Sequence, residues 1–228
     1  MSDHQHGHEH GHHGHGHDDE DGVEEDFFEP ASWEERYAAE EQMWSGRSNP
    51  ALVEEASRLT PGTALDVGCG EGGDVIWLAQ QGWRVTGADF SAAGLARAAR
   101  HAADAGVGER CDWWQVDARD FDAAGREFDL VTTHYLHPPD GRIVGIVGRL
   151  AGAVAPGGHL LVVGHEPSER FTQLSAARRG AMWYAEELPA GLPDGFEVVA
   201  CEQRTRMHGH DGEQVEVGDS VLLARRTG

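Results

Sequence analysis

A strand running into a glycine-rich turn and then a helix constrains this chain more than any other feature. In ALDVGCGEGGDV, residues 64–75, glycines stand at 68, 70, 72 and 73. TALDVG reads as a buried strand, EGGDVIWLAQQG as a helix ending at Gly82, and WRVTGAD as the next strand. Glycines at such a turn remove side chains where a ligand meets the backbone, and the helix that follows aims its first amides at that ligand.

The alternation continues along the chain. SWEERYAAEEQMW predicts a helix capped by Ser32, with acids in its first turn and Trp33, Tyr37 and Trp44 along one side. A short helix is expected over Pro50–Leu59, and Ser91 caps another that runs to about Ala105. Further strands are expected at CDWWQV, FDLVTTH, HLLVVGH, FEVVACEQR and VEVGDSVLLARR, with helices over Asp140–Val154 and within Leu174–Leu188. Repeated strand–helix–strand units predict an α/β fold: a doubly wound, seven-stranded, mostly parallel sheet covered on both faces, with right-handed crossovers. The last two strands have only MHGHDGEQ between them and are expected to pair as an antiparallel hairpin.

The first thirty residues differ in composition from all that follows. Histidines stand at His4, His6, His8, His10, His12, His13, His15 and His17, acids crowd residues 18 to 29, and no base occurs. Such a tract has nothing apolar to bury against the entropy of ordering, so residues 1–30 are expected to be a disordered tail and residues 31–228 a single domain. Imidazoles at every second or third position suit zinc or nickel, which makes the eight histidines candidate metal ligands.

Composition also narrows the partners. The net charge is −22, and all 18 basic residues are arginine. That field repels phosphate backbones, so nucleic acid is not expected as a partner and a small molecule is. The absence of lysine removes Schiff-base and Walker-type phosphate chemistry. No apolar run approaches the roughly 20 residues that cross a bilayer and no signal-peptide pattern opens the chain, so no membrane association and a cytoplasmic location are expected. Cys69, Cys111 and Cys201 are far apart and are read as free thiols.

Two ligand classes fit the glycine turn. Gly68, Gly70 and Gly73 match the GxGxxG dinucleotide fingerprint, while Asp66, Gly68, Gly70 and Gly72 match the DxGxGxG loop for S-adenosylmethionine. Asp66 favours the second, because a carboxylate there suits a cationic amino group and repels a pyrophosphate. Asp89, at the end of the second strand and nineteen residues after Gly70, is placed to accept bonds from two ribose hydroxyls in either class. Phe90 can lie against an adenine, and Asp117, with Ala118 beside it, can accept from the adenine amino group.

ALDVGCGEGG, VTGADFS, VDARDF, FDLVTTHYLH and LAGAVAPGGHLLVVGH, in that order and followed by the hairpin, resemble the class I S-adenosylmethionine-dependent methyltransferases over nearly all of residues 32–226. WEERYAAEEQMWSGRSNP is similar to the tellurite-resistance and thiopurine-type branch of that class. The resemblance implies S-adenosylmethionine as cofactor, with Asp66, Gly68, Cys69, Gly70 and Gly72 at its methionine portion, Asp89 at the ribose, Phe90, Asp117 and Ala118 at the adenine, and His134 touching it through its backbone. Trp33, Tyr37 and Trp44 would close the pocket.

Displacement at a sulfonium methyl asks mainly for a positioned nucleophile, and for a base only where the acceptor must lose a proton. His134 and His137, after the fourth strand, and His165, after the fifth, are the candidate catalytic residues for a small-molecule acceptor such as a thiol, a metalloid oxyanion or a hydroxylated metabolite. Two rival functions use the same features: an NAD(P)-binding oxidoreductase on the same first half, and a metal-binding or chaperone role carried by the tail.

Overall fold

The computed structural model describes residues 28–39, 43–139, 142–171, 173–210 and 213–228. The histidine tract His4–His17, with the metal expectation attached to it, lies outside the described residues.

The first helix, α1, spans Pro30–Ala39. Proline opens it, since the missing N–H costs nothing in a first turn, so Ser32 lies inside the helix and does not cap it. Trp44 falls beyond its end, in irregular backbone. α2 (Pro50–Ala56) is capped by Asn49, whose side chain accepts from the Ala51 amide. The strand β1 (Thr63–Val67) leads through the glycine turn into α3 (Gly73–Gln80), and β2 (Arg84–Asp89) leads into α4 (Ala92–Asp104). Alanine richness favours α4, and Ser91 caps it by accepting from Gly94 N at 2.9 Å. There follow β3 (Cys111–Gln115), β4 (Phe128–His134), α5 (Ile143–Ala151), β5 (Val154–His165), a short α6 (Ala176–Gly180), β6 (Phe196–His210) and β7 (Glu213–Arg226).

The seven strands form one sheet in the order β3-β2-β1-β4-β5-β7-β6. β1 to β5 pair in parallel, and β7 inserts antiparallel between β5 and β6. Side chains alternate across the sheet and feed two apolar layers: Leu65, Val67, Leu160 and Val162 join one, and Ala64, Leu161 and Val163 join the other. The expected hairpin exists, but strand pairing reaches His210↔Glu213, so most of the stretch expected as a loop is ladder. The helix expected within Leu174–Leu188 is divided into α6 and a 3-10 segment, Ala185–Gly191, which contains Pro189.

Candidate active site

The parallel strands end on one side of the sheet, and the chain gathers its polar side chains there. Gly68, Gly70 and Gly72 all have positive φ (79°, 51° and 82°), which a side chain would strain. A Cβ at Gly70 would sit 2.8 Å from the Tyr37 hydroxyl, so the turn and its cover meet at van der Waals contact. The turn is fixed to β2 by Gly68 N donating to Ala88 O and by Gly70 N donating to Asp89 Oδ2 at 2.9 Å. Asp89 Oδ1 accepts from Ser91 N, also at 2.9 Å, and the carboxylate is buried. Burial raises its pKa, though these amides oppose the shift.

Asp66 pairs with Thr132 in the β1–β4 ladder, so Thr132 and His134 project from the same face as Asp66. His134 Nδ1 is 2.9 Å from Asp74 Oδ2 and 3.7 Å from Asp66 Oδ1; Nε2 is 2.9 Å from Thr132 Oγ1. The Asp74 contact is close but off the axis of a linear hydrogen bond. Burial and the neighbouring Asp74 push the Asp66 carboxyl up to about 7, against the pull of His134. Burial alone would depress His134, but Asp74 and Asp66 outweigh it and raise its pKa. Cys69 is buried and its thiol is pushed up by burial and by Asp66, which makes it a neutral neighbour and no nucleophile.

The cover over the turn is built by ion pairing. Glu71 accepts from Met43 N and Trp44 N, both at 3.0 Å, and pairs with Arg97 of α4, while Arg97 also reaches Tyr37 O. Glu34 of α1 accepts from Ser91 Oγ and Ala93 N at the start of α4. Trp44 Nε1 donates to Tyr37 Oη, and Trp33 stacks on Trp44 with ring centroids 6.1 Å apart. The three aromatics expected on one helix therefore do come together, although Trp44 arrives from outside the helix. At the far end of the cleft, Asp117 spends its carboxylate on Arg119 and its pKa is lowered as a result, with burial opposing. Ala118 is buried beside it, and Phe90 is half-buried with its carbonyl accepting from Gln115.

The three candidate histidines separate into two groups. His134 belongs to the Asp66–Asp74 cluster. His137 and His165 lie in a slab of rings: Tyr135 stacks on His165 at 4.4 Å, His165 on His137 at 5.4 Å, and Trp183 and Phe171 close the sides. His165 Nδ1 faces Asp219 Oδ1 at 3.4 Å. Asp219 Oδ2 accepts from Tyr135 Oη at 3.0 Å and from Arg206 Nε at 2.6 Å. His137, depressed to about 4 by burial and by His165, is a neutral imidazole at ordinary pH. Trp183 Nε1 is buried without a hydrogen-bond partner. Tyr135 has φ 54°, an uncommon conformation for a non-glycine residue, which turns the chain at the end of β4.

Asp74, Trp183, Arg206 and Asp219 were not among the expected site residues. Asp74 follows the glycine turn directly and was within reach of the sequence pattern; the other three are brought in by β7, β6 and the segment before them. The described residues contain no helix long and apolar enough to cross a membrane.

Residues 64–158 match the family described as a methyltransferase domain. A ubiquinone biosynthesis O-methyltransferase of Marinobacter nauticus is 35% identical over 171 residues, covering 72% of this chain and 68% of that protein. In fold the chain is similar to TehB from Haemophilus influenzae (TM-score 0.64, 16% identity, 78% of this chain and 62% of that one). It is also similar to magnesium protoporphyrin IX methyltransferase from Synechocystis PCC 6803 with bound SAH (TM-score 0.58, 20% identity, 91% of this chain and 100% of that one). With the sheet order, the glycine turn and these matches together, the chain belongs to the class I S-adenosylmethionine-dependent methyltransferases.

Proposed function

We propose that the domain spanning residues 31–228 moves the methyl group of S-adenosylmethionine to a hydroxyl of a small planar acceptor, with residues 1–30 as an appended tail. The observation that carries this is the placement of the glycine turn and of the ring slab in which His165 faces Asp219, both at the carboxyl ends of the parallel strands. The turn fits the cofactor on its own chemistry: Gly68 leaves room for backbone approach, Asp66 is a buried carboxyl suited to a cationic partner, and Asp89, fixed by Gly70 N and Ser91 N, keeps lone pairs for hydroxyl donors. Two carboxylates at Asp66 and Asp74 suit an ammonium and repel the pyrophosphate of the rival dinucleotide reading.

Asp66, with Gly68, Cys69, Gly70 and Gly72, would hold the methionine portion, Asp89 the ribose, and Phe90, Asp117 and Ala118 the adenine. Trp33, Tyr37 and Trp44, which meet over the turn, would cover the cofactor there. The cofactor supplies, when bound, an electrophilic methyl on a sulfonium that departs as a neutral thioether. On the acceptor side the rings of Tyr135, His165 and His137 orient a planar molecule by stacking. His165, whose Nδ1 faces Asp219, takes the hydroxyl proton at Nε2 as the new O–C bond forms. His137, held neutral, and Trp183 Nε1 are available to orient the acceptor by hydrogen bonding. The name of the Marinobacter relative supports oxygen as the atom methylated.

Calorimetric titration with S-adenosylmethionine, S-adenosylhomocysteine and NAD tests the cofactor. The adenosyl compounds are expected to bind and NAD is not, and Asp89→Ala is expected to weaken them by about 10- to 100-fold through loss of charge-assisted bonds. Transfer from methyl-labelled cofactor to catechol and 3,4-dihydroxybenzoate, set against thiophenol, tests the acceptor. Turnover with thiophenol alone would overturn the hydroxyl assignment.

A further inference from the structure

We propose that Asp74 and His134 complete, with Asp66, the seat for the cofactor's α-ammonium group, and that the incoming cation displaces a proton from this cluster. The proposal rests on the cofactor reading above and extends it to residues that the glycine motif does not include.

One donor atom from each of the three side chains lies within 4.8 Å of the others. His134 is almost enclosed, with 4% of its side chain exposed, and its Nδ1 points between the two carboxylates without a well-formed hydrogen bond to either. Its other nitrogen is occupied by Thr132 Oγ1. Asp74 is fixed from the opposite side, because its Oδ1 accepts from Asn49 N at 2.6 Å. The groups that face this cluster add negative charge: Asp89 of β2 bears on Asp66, and Asp219 of β7 bears on His134. Cys69, on the turn, stays a neutral thiol.

Buried beside a second carboxylate, the Asp66 carboxyl does not ionise freely unless positive charge is present. Without ligand, that charge comes from protons held on Asp66 and on His134, whose affinities for a proton are both raised. An ammonium entering between the carboxylates supplies the same charge and lowers both affinities, so a proton leaves to solvent. Binding therefore strengthens as pH rises toward and through about 7, where Asp66 titrates in the unliganded protein. The aminobutyrate end alone produces this effect, because ribose and adenine lie against other residues.

Calorimetry at pH 6.5 in two buffers of different ionisation enthalpy counts the protons. S-adenosylhomocysteine is expected to release about half a proton to one, and its affinity to rise about three- to tenfold from pH 6 to 7. 5′-Methylthioadenosine, which lacks the aminobutyrate, is expected to bind with no release and a flat profile. Asp74→Asn keeps an oxygen for the Asn49 amide and is expected to lower the proton count and flatten the S-adenosylhomocysteine profile. Equal release with both nucleosides, or none with S-adenosylhomocysteine, would overturn the seat. If neither nucleoside binds, the cofactor reading falls and takes the seat with it.

Discussion

Asp219 and His165 are direct partners in the antiparallel β5–β7 ladder, and their side chains meet with Oδ1 3.4 Å from Nδ1. Cross-strand partners share a face of the sheet, so the strand register alone delivers a carboxylate to the histidine. Burial would push the Asp219 carboxyl up, but the close approach of His165 and the bonds from Arg206 and Tyr135 hold it below the ordinary carboxylate range. It is ionised wherever the enzyme would work.

Asp219→Asn tests whether this pair carries acceptor chemistry. The substitution keeps the shape and removes the charge that orients His165. Methyl transfer to a phenolic acceptor should fall by about 10²- to 10⁴-fold, the usual contribution of a positioned base. Affinity for S-adenosylhomocysteine should stay within about twofold. Single-turnover rates and calorimetry on one preparation separate the two effects.

Gly164→Ala probes the slab from below. A Cβ at Gly164 would sit 2.2 Å from the Trp183 ring, and Trp183 is fully buried. The indole must shift, at a cost of about 1–3 kcal/mol or more in stability. Acceptor KM should rise with little change in cofactor affinity. Urea melts and steady-state kinetics check both.

Arg97→Met strands Glu71 under the cover. The pair is enclosed, with side chains 9% and 4% exposed, and it ties α4 to the segment that carries Trp44. Breaking such a pair from one side costs about 3–5 kcal/mol. Adding Glu71→Gln should recover part of that loss. Denaturation midpoints of the single and double variants supply the comparison.

His137 gives stability a sign with pH. Its folded value, about 4, lies below the roughly 6.5 of an unfolded histidine, so its contribution is complete above about pH 6.5 and is lost as pH falls toward 4. The stability gap between the parent and His137→Gln should therefore shrink by about 3 kcal/mol across that window. Asp66, raised to about 7, works in the opposite direction and flattens the parent's own profile. Only the difference between the two proteins isolates the histidine, by urea titrations at pH 7, 5.5 and 4.

The amino-acid sequence by itself determined the layered α/β fold, the glycine turn and the strand ends at which the proposed cofactor residues stand. The physical reason is locality. Apolar runs, caps and the turn at residues 68–73 each act within a few positions, and Asp66, Asp89 and Asp117 stand at strand ends that the alternation already marks. Local patterns also misplace boundaries: Ser32 looked like a cap because it precedes acids, yet Pro30 starts the helix. The ring slab proposed for the acceptor was decided by tertiary structure. Asp219 lies 54 positions after His165, and only the antiparallel insertion of β7 beside β5 sets them face to face. Trp183 and Arg206 arrive from the segment before β6 and from β6 itself, while His134 and His137, three residues apart, go to different clusters because the chain turns at Tyr135. Contacts of that kind depend on register and crossover, which no short window of sequence encodes.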